Sequence, residues 1–69
     1  MSAVTLIING EPRSAREGIS LLGLLADLEL DPAAVVVELN REIVRRPELD
    51  DRPVRDGDRI ELVHFVGGG

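Results

Sequence analysis

Hydrophobic residues recur along this chain with two different periods, and the changes of period mark its elements. Val4-Thr5-Leu6-Ile7-Ile8 is a run rich in β-branched residues, which predicts a strand. Asn9-Gly10 follows, a pair suited to a type I′ turn because both central positions of that turn need positive φ. The return strand, residues 11–15, contains Pro12. Proline cannot donate to a ladder, so this strand is expected at a sheet edge. After Gly18 the period lengthens: Leu21, Leu24, Leu25 and Leu28 fall on one helical face, with Ser20 placed as N-cap. A helix over residues 21–28 is predicted, with Ile19 and Leu24 spaced as a hydrophobic staple and Gly23 leaving room for another backbone to approach. Asp31-Pro32 ends the helical pattern.

Alternation then resumes. Residues 34–39 place Val35, Val37 and Leu39 on one side and Val36 and Glu38 on the other, a third strand. Asn40-Arg41 turns into a short strand, Glu42-Ile43-Val44, and Pro47 to Pro53 reads as a polar, acidic loop. Arg55-Asp56-Gly57-Asp58 has the composition of a tight turn. The last strand, residues 59–64, directs Ile60 and Leu62 to the core and Arg59, Glu61 and Val63 away from it. Continuing the alternation puts Phe65 on the outward side. A helix between a hairpin and later strands must cover one face of a single sheet, and the crossover lets the first and last long strands pair in parallel. The expectation is an α+β fold of β-grasp (ubiquitin-like) type, a mixed four- to five-stranded sheet with one helix on one face. Residues 1–66 would form the domain and residues 67–69 a flexible glycine tail.

Composition narrows what such a domain can do. Sixty-nine residues leave no room for a deep cleft between domains, which favours a carrier, subunit or binding module over a self-sufficient enzyme. The net charge of −5, with no lysine among the eight basic residues, argues against nucleic acid and anionic membranes and for a basic partner. No cysteine is present, so disulfides, thiolate catalysis and cysteine-ligated zinc are excluded. One histidine without clustered ligands makes a structural metal site an unsuitable reading. Neither a signal peptide nor an apolar membrane span is recognisable, so the cytoplasm is the expected location.

The candidate chemistry lies at the end, His64-Phe65-Val66-Gly67-Gly68-Gly69. Three extended residues span about 10 Å, and glycine, lacking Cβ, enters slots closed to other residues. Gly69 would present its carboxylate there. That group is an anion at neutral pH and a poor electrophile, so its reaction requires one oxygen to become a leaving group. Ordering Gly67 and Gly68 with Gly69 in a channel costs about 1–2 kcal/mol per residue. Burying Phe65 and Val66 on a partner returns about 1.5–3 kcal/mol each, which makes this pair the candidate anchor. His64 invites a general acid–base reading but has no nucleophile or second base beside it, so a structural or docking role fits better. Asp56 and Asp58 are explained by the turn they flank, and Arg45-Arg46 by solvation.

Taken together, Val37-Glu38-Leu39-Asn40, residues 55–61, the ending at residues 64–69 and Asn9-Gly10-Glu11 make the whole chain resemble the ThiS family, small ubiquitin-like sulfur carriers of thiamin thiazole biosynthesis. One departure is Arg41, where many relatives carry glycine. The resemblance implies that the chain is not itself an enzyme and binds no cofactor. A ThiF-type adenylating partner would use Mg-ATP to convert the Gly69 carboxylate to an acyl-adenylate. Sulfur from a cysteine desulfurase would then give a thiocarboxylate, and thiazole synthase (ThiG) would accept the sulfur. Two other readings stay open at this point: a MoaD-like small subunit of molybdopterin synthase, and a β-grasp interaction module whose tail is inert.

Overall fold

The computed structural model describes residues 2–65, and residues 1 and 66–69 lie outside that description. The expected flexible tail falls among the latter. Five strands form one sheet: β1 (Ala3–Ile8), β2 (Glu11–Arg16), β3 (Val35–Leu39), β4 (Glu42–Val44) and β5 (Arg59–His64). Their spatial order is β2-β1-β5-β3-β4, with β1 and β5 parallel and the other pairs antiparallel. The predicted β-grasp arrangement is therefore present in its five-stranded form, and the proline-bearing β2 lies at an edge. Asn9 and Gly10 both take positive φ, 50° and 84°, as the type I′ hairpin requires.

Helix α1 (Leu21–Asp27) starts where the sequence indicates, with the Ser20 hydroxyl accepting from the Gly23 amide at 3.0 Å. It buries Leu21, Leu24 and Leu25 in one cluster with Val4, Leu6, Ile8, Val37 and Ile60 from the sheet. Its end is sharper than the hydrophobic pattern suggests. Glu29 takes φ 60°, its amide bonding to Ala26 O and the Leu30 amide to Leu25 O, a Schellman closure with glutamate in the usual glycine position. The reading of Gly23 is corrected. The group nearest to it is a side chain rather than another backbone: a Cβ there would come within 2.9 Å of Ile19 Cγ1. The residue before the cap folds down over the helix's first turn, and glycine leaves space for it.

A second correction concerns residues 47–53. They are not simply a polar loop, because Arg46–Asp51 forms a 3-10 helix that carries Leu49, 1% exposed, into the core against α1. Val54 follows it inward, and Val54 N bonds to Ile19 O. A lone leucine among Pro, Glu and Asp has no period to betray it. Another short 3-10 helix, Pro32–Ala34, is capped by Asp31 and leads into β3. Among the described residues no polar or charged residue is buried.

Candidate functional site

The site is built around β5, a central strand with β1 on one side and β3 on the other. Towards β3 the pairing runs its full length, from Leu39↔Ile60 to Val35↔His64, and one further bond joins Phe65 N to Ala34 O at 2.8 Å. Towards β1 only two residue pairs are in register, Ile7↔Arg59 and Ile8↔Ile60. Side chains extend this short ladder at both ends. Before it, Asp56 Oδ1 accepts from Thr5 N at 2.8 Å; beyond it, the Asn9 amide bonds to both the N–H and the C=O of Leu62. Asn40 holds the start of the strand on the β3 side, its Oδ1 accepting from Arg59 N at 2.9 Å and its backbone N–H donating to Arg59 O at 2.8 Å.

The aspartates of the turn are thus consumed in holding backbone. Asp58 Oδ2 accepts from Arg55 N and its Oδ1 from Asn40 Nδ2, which agrees with reading these carboxylates as turn residues. Among the described residues no group of three His, Cys, Asp or Glu side chains is placed to hold a metal ion. Likewise, none of the described helices is long and apolar enough to cross a membrane.

Alternation along β5 sends Ile60 fully into the core and leaves Val63 56% and Phe65 54% exposed. Phe65 is therefore where its register predicts. The neighbouring strands add outward apolar residues that inspection of the tail alone does not pick out. Val36 lies directly across from Val63, and Ile43 on β4 is 65% exposed. Phe65, Val36, Ile43 and Pro32 border one shallow open depression together with Arg45 and Arg46. The arginine pair, read from sequence as solvated surface, is thus at the rim of the apolar patch. Glu38 faces Glu61 on one side and Ile43 on the other, so acidic groups line the patch away from the arginines. His64 is exposed at the end of β5 opposite Val35. Val66, Gly67, Gly68 and Gly69, the other candidate residues, lie outside the described residues.

The last strand thus combines a buried inner edge, a gripped backbone and an apolar outer end directly before the glycines. The ThiS family model matches residues 6–69, which include this strand and everything after it. The chain belongs to the ThiS family. A sulfur carrier protein ThiS from Thermus thermophilus is 42% identical over 62 residues, covering 90% of this chain and 95% of that one. The crystal structure of a thiamine biosynthesis protein (ThiS) from Geobacter metallireducens superposes with a TM-score of 0.82 at 36% identity, covering 96% of this chain and all of that one. A thiazole synthase from Magnetococcus marinus is 44% identical over 62 residues, 90% of this chain. This chain spans only 19% of that protein's length. In that relative a ThiS-like segment is part of a much longer polypeptide.

Proposed function

We propose that this ThiS-family chain is a sulfur carrier for thiamin biosynthesis, acting in the cytoplasm, whose reactive group is the Gly69 carboxylate. The observation that carries the reading is the placement of β5. This central strand, paired with β1 on one side and β3 on the other, ends at an exposed Phe65, and Val66 and the three glycines follow in sequence. Such a strand fixes where the tail starts, and the sheet face beside it supplies apolar surface by which other proteins can hold it.

In this reading a ThiF-type partner binds the outer face around Val63, Phe65 and Ile43. A Gly69 carboxylate oxygen attacks the α-phosphorus of Mg-ATP bound by that partner, and pyrophosphate leaves. A thiol reductant cleaves the persulfide of a cysteine desulfurase, leaving as a disulfide, and the released sulfide attacks the acyl carbon; a C–S bond forms, the C–O bond to AMP breaks, and a thiocarboxylate results. Thiazole synthase then takes the sulfur. The long relative from Magnetococcus marinus supports this last partnership, since it joins a ThiS-like segment and a thiazole synthase in one polypeptide. The chain itself contributes no acid–base group to these steps; it supplies the carboxylate and the surface that aims it.

Intact-mass measurement tests the proposal. After incubation with the adenylating partner, Mg-ATP and a sulfur source, the chain should gain the mass difference of sulfur for oxygen, and deletion of Gly69 should abolish the gain. An unchanged mass under conditions that modify an authentic carrier would refute it and favour an inert tail.

A further inference from the structure

We propose that Asn9 is a positioning residue for the carboxyl-terminal chemistry, its side-chain amide standing in for a peptide group of β1 and fixing the outgoing half of β5. This rests on the reading of Gly69 as the reactive end. The geometry of a parallel ladder makes the substitution specific. Ile7 N bonds to Asp58 O and Asn9 N to Ile60 O, both at 2.9 Å. In a ladder that continued, Leu62 N would donate to the carbonyl of Asn9, and Leu62 O would accept from the amide two residues further on. That continuation is impossible here, because the chain turns at Asn9-Gly10 and runs back as β2. Instead Leu62 N donates to Asn9 Oδ1 at 2.7 Å, and Asn9 Nδ2 donates to Leu62 O at 3.2 Å. A primary amide carries one acceptor and a donor in one plane, the same complement as a peptide link. Both bonds lie at exposed positions beside an open depression bordered by Ile8, Leu28, Leu30 and Leu62, so what they contribute is geometry rather than burial.

The left-handed backbone at Asn9, φ 50°, is one that asparagine tolerates and that glycine also adopts. The hairpin alone would therefore be equally served by glycine, and the amide is the part of Asn9 that the turn does not need. Asn40 provides the internal contrast. It adopts the same conformation, φ 51°, but holds Arg59 at the start of the strand, remote from the tail. Loss of the Asn9 amide should leave the Leu62–Phe65 stretch secured by β3 alone, so that a partner must order the base of the tail on binding.

The test uses the full chain with its adenylating partner, following ATP–pyrophosphate exchange, and compares Asn9→Gly, Asn9→Asp and Asn40→Gly. Asn9→Gly should raise the KM for the carrier about tenfold with kcat nearly unchanged, as expected for two lost hydrogen bonds. Its Leu62 amide should exchange hydrogen faster while the Ile60 amide keeps its protection. Asn9→Asp, which keeps only the acceptor to Leu62 N, should fall between the two and serves if the glycine variant does not fold. Asn40→Gly should lower Tm without raising KM. Wild-type KM in both Asn9 variants, or an equal rise in Asn40→Gly, would overturn the positioning role while leaving the carrier reading intact. Failure of the wild-type chain to support exchange would overturn the carrier reading and this proposal with it.

Discussion

The two faces of the sheet are made by the same strands and differ in almost everything else. Inward, Val35, Val37, Leu39 and Ile60 meet α1 and the 3-10 helix bearing Leu49, and the core closes without a buried polar or charged residue among the described residues. Outward, Val36, Ile43, Val63 and Phe65 make an apolar surface on which no described element packs. The inner face is explained by folding. Folding explains nothing about the outer one, since single exposed apolar residues are common but a contiguous group beside a strand end points to a docking surface. The comparison separates residues that keep the domain folded from residues that let it be held.

The largest expected effect tests the inner face. Leu49→Ala should cost about 2–5 kcal/mol by chemical denaturation, a large fraction of what a domain of this size has to lose. A loss below about 0.5 kcal/mol would mean that the 3-10 helix is not part of the core, since surface changes fall in that range. On the outer face, Phe65→Ala should weaken binding to the adenylating partner by about tenfold to a hundredfold in calorimetry. Because Phe65 is already half exposed, the same variant should change folding stability by less than about 1 kcal/mol. Unfolding of Phe65→Ala would instead place this residue in the core and erase the distinction drawn here.

Smaller effects sharpen the picture. Glu29 and Arg41 occupy left-handed backbone, at φ 60° and 73°, where a Cβ is unfavourable. Glu29→Gly and Arg41→Gly should each raise stability by about 0.5–1 kcal/mol in thermal unfolding, with partner affinity unchanged because neither borders the apolar depression at Phe65. Smallest is the effect of Glu61→Thr. Glu38 and Glu61 are direct cross-strand neighbours, and relieving like charges there should stabilise by about 0.2–1 kcal/mol. If these carboxylates steer a basic partner, the association rate should fall at low salt and converge with wild type at high salt.

Much of the fold is legible in the sequence, and for identifiable reasons. The period-two runs around Val37 and Ile60, the leucine face of α1 and the Asn9-Gly10 turn are local signals, each written in adjacent residues. The outward position of Phe65 followed from counting along β5. Leu49 was not legible, because a single buried residue on a 3-10 helix has neither period nor neighbours of its kind. Gly23 was misread because the atoms that require it belong to Ile19, whose direction is set by the cap and not by spacing.

The order of residues by itself determined the five strands and α1, the edge position of β2, the parallel pairing of the first and last strands, and the glycines that follow Phe65 and Val66. Only the tertiary structure decided which surfaces meet. It brought Arg45 and Arg46 to the rim of the apolar patch, set Glu38 against Glu61, and turned the amide of Asn9 into a missing link of the β1–β5 ladder. Periodicity tells which way a side chain points from its own backbone. Which distant backbone it finds there depends on the path of the chain through space, and that path is fixed only when the core closes.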